Sequence, residues 1–314
     1  MQKRCNWYVP AVATPLRLAV TLPVAGQLVG SDLPRLVEVA AQCDRAGVDT
    51  VVLVDHVVMG ERFDRYQWGP FNFVQGAPWA EPLMLAAAIA AATTRVRIAT
   101  GILIAGLRPA TLLAKTVATL DVLAGGRFDL GVGVGWQPEE YESMGLEFSR
   151  RGQILDDTIA ACLALWAPGP ASFSSPTVQF DRIWCDPKPV QPGGPPVWFA
   201  GTLGGRNLSC IVRLGRGWIP IMGATPHDVT IGSKKLRELF VDAHRDPAEL
   251  QVRAGATLIR AERGFDTVAS VAASMELHDA GATEVNFPMS AFVRDAADVE
   301  HWLDELIAAW KAPS

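Results

Sequence analysis

Asp55 and His56 close an apolar run, Thr50-Val-Val-Leu-Val54, and open a long aromatic segment. Imidazole is the side chain best suited to exchanging protons near neutral pH. Two roles are therefore open to His56: a proton-transfer or cofactor-contacting group, or a cap bonded to backbone at a strand end. The other histidines, His227, His244, His278 and His301, fall on helical stretches or their starts and read as surface residues.

A second stretch, Gly126-Arg-Phe-Asp-Leu-Gly-Val-Gly-Val-Gly-Trp136, alternates glycine with valine. A dinucleotide fingerprint needs G-x-G-x-x-G at the first strand–helix turn. Counting from Gly131 the last position is Trp136, and counting from Gly133 it is Pro138, so that reading fails. What remains is a strand whose end, Gly133-Val134-Gly135, exposes backbone. Glycine there signals close approach by a ligand or by another chain segment. Other runs end similarly, in Thr100-Gly101-Ile102 and in Ala200-Gly201-Thr202-Leu203-Gly204-Gly205-Arg206-Asn207. The last piece combines free backbone N–H groups, glycine clearance and an arginine, the makings of an anion site; alone it is equally an ordinary loop capped by Asn207. Several cleared ends around one mouth imply a large flat ligand.

Other chemistries lack their residues. There is no G-x-S-x-G, Walker loop or H-E-x-x-H, nor an H-x-E with paired cysteines, which removes serine hydrolases, P-loop kinases and zinc enzymes. An organic redox cofactor is left to carry the hard step.

These residues must be held by a frame, and the chain supplies one. Short β-branched runs alternate with longer amphipathic ones from Leu16 to Trp310, in about eight strand–helix units, the count of a TIM (β/α)8 barrel. The strands are apolar almost throughout, as strands covered on both faces must be. A doubly wound sheet shares the alternation, but the unit count and the even composition favour the closed barrel. The expectation is one α/β domain over residues 1–314, with two interruptions. Residues 57–80 form a long aromatic loop at the C-terminal end of the second strand, where such barrels build active sites. Residues 168–196, rich in proline and glycine, form an insertion after the fourth helix with room for a small hairpin.

Composition narrows the partners. Of 314 residues 49% are hydrophobic and 19% charged, and the net charge is −5. No basic cluster could neutralise a nucleic-acid backbone. The five cysteines are scattered, which fits a reducing cytosol better than a disulfide framework or a zinc site. Pro10 and Pro15 interrupt the first apolar run, and no stretch approaches the ~18 apolar residues of a membrane span. A cytoplasmic protein acting on a small molecule, without nucleic acid or membrane, is expected.

The runs "VDHVVMGERFD", "APWAEPLMLAAAIAAATTRVRIATGIL", "LLAKTVATLDVLAGGRFDLGVGVGWQPEEYESMG", "RRGQILDD", "DPKPVQ" and "RLGRGW" resemble, in order, the bacterial luciferase-like superfamily. Within it the chain is most similar to the actinobacterial oxidoreductases that use the deazaflavin coenzyme F420. The resemblance implies a TIM barrel inserted after helix four and a non-prolyl cis peptide at Gly101-Ile102. It places the deazaflavin ring across the strand ends beside Asp55 and His56, with the cofactor phosphate near Gly201–Asn207. His56 becomes the proton donor while hydride passes between ring and substrate. Related sugar-phosphate dehydrogenases carry a catalytic glutamate where this chain has Trp136, which argues against sugar-phosphate oxidation. Trp136, with Trp68 and Trp79, suggests an apolar or aromatic carbonyl or alkene substrate, core packing being the other role for these rings. The resemblance also implies a homodimer and a separate cofactor-reducing enzyme. An FMN-dependent two-component monooxygenase and a non-catalytic flavin- or deazaflavin-binding protein are the competing readings.

Overall fold

A computed structural model of the chain describes residues 15–67 and 75–312. Eight parallel strands close into a barrel: β1 (Arg17–Thr21), β2 (Thr50–Leu53), β3 (Arg97–Thr100), β4 (Phe128–Val132), β5 (Val197–Ala200), β6 (Gly217–Ile219), β7 (Gln251–Gly255) and β8 (Glu284–Pro288). They follow one another around the barrel in chain order, with β8 paired back onto β1. The helices are α1 (Leu33–Ala46), α2 (Pro82–Ala92), α3 (Ala110–Leu123), α4 (Pro138–Ser143), α5 (Arg151–Trp166), α6 (Gly205–Leu214), α7 (Pro226–Asp242), α8 (Thr267–Ser274), α9 (Glu276–Asp279), α10 (Met289–Phe292) and α11 (Val299–Lys311). Among the described residues no helix is long and apolar enough to cross a membrane.

The expected barrel is thus observed, and so is a hairpin within the 168–196 insertion, pairing Ala171–Ser174 with Gln179–Ile183. It is fastened from several sides. The Gln191 amide donates to Asp121 of α3 and to the Phe128 carbonyl, each at 2.7 Å, and Lys188 donates to the Leu165 carbonyl at 2.9 Å.

Successive strand residues face opposite sides, and here the outward ones, such as Leu18, Val20, Val51, Leu53 and Ile98, meet the helices in the main core. The inward set is graded. At the base lie charged pairs: Arg253 with Glu284, Arg17 with Glu284 at 3.3 Å, and Arg97 with Asp129 at 2.5 Å. The Arg253 guanidinium also stacks over Trp198, 4.5 Å from the ring centre. Above them sits a thin layer of Ala19, Val52 and Ala99. One step higher, alternation brings Gly101, Gly133, Ala200 and Gly255 inward. The barrel is therefore charged at its floor, while at its mouth small residues alternate with larger ones such as Ile219 and the hydrogen-bonded pair Thr21–Asn286.

Candidate functional site

The glycine–valine stretch forms β4 and the turn beyond it. A Cβ on Gly131 would lie 1.9 Å from the Thr100 carbonyl oxygen, so only glycine lets β3 pass this close. Added Cβ atoms on Gly133 and Gly135 would each come within about 3.0–3.1 Å of the side chains of Ile102 and Ile104. Close approach is thus real, but the approaching group is the protein's own segment after β3. That segment begins with a cis Gly101–Ile102 peptide, as the resemblance implied. Thr100 is fully buried and donates to the Gly131 carbonyl at 2.7 Å. It serves to join β3 to β4.

His56 follows β2 and is reached by a residue that the sequence reading did not single out. Its Nδ1 lies 3.0 Å from Glu140 Oε2, and Glu140 Oε1 accepts the Val57 N–H at 3.0 Å. The Glu140 side chain is wholly buried and that of His56 is 10% exposed. With the carboxylate accepting, Nδ1 is assigned the proton, which fixes the tautomer of the ring. Glu140 sits on α4, which opens with Gln137 at its cap, Pro138 in its first turn and two acidic residues after it. Proline followed by acid is the usual helix start, and this turn carries Glu140 back over the end of β2. Gln137, also fully buried, clamps the loop from the other side: its amide accepts the Gly60 N–H at 2.8 Å and donates to the Gly60 carbonyl at 3.2 Å. Tyr141 donates to the Val134 carbonyl at 2.8 Å, and burial pushes its phenol well above the usual tyrosine range.

Asp55, beside His56, is engaged by the protein itself. Its carboxylate is 0% exposed and accepts from Arg108 Nη1 at 2.7 Å, Arg108 Nη2 at 3.1 Å and the Ile104 N–H at 2.9 Å. Arg108 reaches on to Glu81 at 2.7 Å. Burial alone would lower the guanidinium pKa, but the two carboxylates carry it above its ordinary value. Asp55 is therefore the anchor that fixes the segment after β3 and the cap region of α2.

Aromatic rings close over His56. Trp79 stands edge-on at 4.6 Å between ring centres, Trp136 edge-on at 6.1 Å, and Tyr66 packs on Trp136 at 5.2 Å. Together with Val57, Met59, Phe63 and Ala77, His56 and Trp79 line a pocket of about 240 Å³. Trp68 lies outside the described residues.

Across the mouth, β5 ends in Ala200 and Gly201, the latter at φ +115°. The Asn207 amide donates to the Thr202 carbonyl at 2.9 Å and the Ala200 carbonyl at 3.3 Å, holding the turn in shape. Arg206 turns outward to Asp156 of α5 at 2.5 Å. One guanidinium nitrogen is thus engaged by α5, while the side chain stays about half exposed. Helix α6 starts at Gly204 without a side-chain cap, and a Cβ on Gly204 or Gly205 would meet nothing within 4 Å. The first N–H groups of a helix have no partner inside it.

His227, His244, His278 and His301 are exposed, as expected. Among the described residues no group of His, Cys, Asp or Glu could hold a metal. The four described cysteines are buried thiols, and burial pushes Cys43 and Cys210 up to about 12.

A closed parallel barrel with a glycine-cleared mouth, a cis peptide after the third strand and a hairpin after α5 defines a known class. The sequence profile of luciferase-like monooxygenases matches residues 14–309, and the chain belongs to this family. An uncharacterized protein of Mycobacterium tuberculosis is 37% identical over 169 residues, which are 53% of this chain and 58% of the relative. The chain thus spans little more than half the length of that relative. Among solved structures, an F420-dependent secondary alcohol dehydrogenase bound to an F420–acetone adduct superposes with TM-score 0.73 at 17% identity, covering 95% of this chain and 99% of that one. The monooxygenase RslO1 of Streptomyces bottropensis superposes with TM-score 0.72, also at 17% identity, covering 94% and 97%. At such identities the likeness is one of fold, and function must be argued from the site.

Proposed function

We propose that the chain is an F420-dependent oxidoreductase, moving hydride between reduced deazaflavin and a small apolar or aromatic carbonyl or alkene, with His56 as proton donor. The observation that carries this reading is the buried Glu140–His56 pair at the mouth. Reduction of a carbonyl requires one proton per hydride, and a carboxylate-oriented imidazole is a unit built to deliver it.

The residues present fit a flat, anionic cofactor. Gly101, Gly133, Ala200 and Gly255 keep those inward positions small, with open space over Gly255 and with Val52 and Ile102 close to the other two glycines. The uncapped start of α6, with open space over Gly204 and Gly205, offers backbone donors to a phosphate. Ile102, leaning over Gly133, gives an apolar surface for a ring. When bound, F420 supplies the hydride. The chain's own part is to orient and exclude water: Glu140 fixes the imidazole, Trp79 and Trp136 wall it off, and Arg108 with Asp55 holds the segment after β3 beneath.

Titration of the purified protein with F420 and separately with FMN, followed by tryptophan fluorescence, tests the reading. Tight F420 binding with weak FMN binding is expected. The reverse order would make the protein an FMN-dependent monooxygenase, and the proposal would fall.

A further inference from the structure

A second cavity lies behind the segment that follows β3. It has a volume of about 560 Å³, within the range of small-molecule sites. It shares no lining residue with the pocket beside His56, and the apolar cluster of Tyr141, Ile104, Leu107 and Ile154 adjoins it. Its walls come from the turn leading into α3, the loop after α4, one side of α5, and the tip of the inserted hairpin at Pro176–Val178. The insertion, which starts at the far end of the barrel, is what completes it.

Its lining is divided by chemistry. Leu107, Leu146, Ile154 and Val178 supply an apolar body. The polar groups are mostly donors. Thr158 is 2% exposed, lines the cavity, and its hydroxyl has no hydrogen-bond partner among the described residues. Arg150, one turn before Ile154, makes no ion pair among the described residues. Pro109 and Ala110 bring the start of α3, which has no side-chain cap, into the wall. A wall hydroxyl that no protein group engages keeps its donor and its lone pairs for a ligand or for water. Glu147, at the exposed rim, is the one acid in the lining and disfavours a second negative charge.

We propose that this cavity is a second ligand site, for an aliphatic monocarboxylate. The carboxylate accepts from Arg150, the Thr158 hydroxyl and the first N–H groups of α3, and the alkyl chain lies against Leu146, Ile154 and Val178. Arg108, which anchors Asp55, is also in this wall, but the ligand contacts proposed here do not depend on the redox reading.

Isothermal titration of the full chain with octanoate, against octylamine and octanol, tests this. Saturable binding of octanoate alone is expected, weakened at least about ten-fold by Arg150→Glu, which removes a charge-assisted contact, and by Val178→Trp, which fills the cavity from the hairpin tip. Thr158→Val should weaken binding several-fold without lowering the melting temperature. Trp79→Ala, at the barrel mouth, should leave binding unchanged. Absence of saturable octanoate binding would overturn the proposal. So would equal binding of octylamine, indifference to Arg150→Glu and Val178→Trp, or loss of binding in Trp79→Ala.

Discussion

The two sides of the barrel mouth are built in opposite ways. Around β2, β3 and β4 the polar groups are held by protein: Asp55 by Arg108 and Ile104, Glu140 by His56 and Val57, Gln137 by Gly60, and the glycines of β4 lie against the segment after β3. Around β5 and α6 the side chains turn away, Arg206 to Asp156 and Asn207 to its own loop, leaving uncovered backbone and open space. One side is organised before any ligand arrives, and the other keeps its donors for one. Preorganisation is what a proton-transfer group needs, whereas a cofactor anchor needs clearance and unpaired N–H groups.

That contrast can be broken most severely at Arg108. Arg108→Ala strands the Asp55 carboxylate without a counter-charge, and removing one partner of a buried pair costs about 3–5 kcal/mol. Chemical denaturation should show a loss of that order; a loss below about 1 kcal/mol, the range of exposed pairs, would mean the anchor is dispensable. Glu140→Gln comes next. The amide can still accept from Val57 but presents N–H to Nδ1, which reverses the imidazole tautomer. The expected result is a kcat lowered about ten- to a hundred-fold with KM little changed, together with an altered pH–rate profile. An equal fall in thermal stability and unchanged kcat would reduce Glu140 to a structural part.

On the open side, Gly205→Pro removes one N–H at the first position of α6, where proline is tolerated. The melting temperature should hold, while cofactor affinity drops about ten-fold, the cost of one charge-assisted hydrogen bond. The smallest effect is expected at Tyr141→Phe, about 1 kcal/mol for the bond to the Val134 carbonyl. Its pH dependence has a definite sign. Burial, with Glu140 adding and Arg151 opposing, raises the Tyr141 phenol in the folded state. A raised pKa contributes stability fully below the unfolded value of about 10, and that contribution is lost as pH rises above it. The gap between wild type and Tyr141→Phe should therefore narrow in alkali, as equilibrium unfolding at several pH values would show.

The frame was legible because its signals are local. Each barrel strand lies within the apolar run that announced it, and the hairpin lies within the proline-rich insertion. The place of His56 just beyond a strand was legible from the apolar run before it, and the cis peptide from the family likeness. Less of the site's inner wiring could be read. Glu140 lies 84 positions from its partner, and only the turn of α4, a helix not expected directly after the glycine–valine strand, brings them together. Arg108 gave no signal at all, since nothing local distinguishes an arginine that reaches 53 positions back to Asp55. The glycines of β4 correctly announced close approach, but their spacing carries no information on whether ligand or backbone fills it. The same limit applies to Arg206, whose spacing suggested an anion while Asp156 of α5 claimed its charge.

The central claim is that His56, held by Glu140, gives the proton that accompanies hydride transfer. It is tested most directly by following anaerobic oxidation of reduced F420 in the presence of aromatic and aliphatic ketones and enones, for wild type and His56→Ala. Turnover without oxygen, falling at least about a hundred-fold in His56→Ala while F420 affinity holds, is the expected result. Turnover that requires oxygen, or that proceeds equally well without the imidazole, would contradict it.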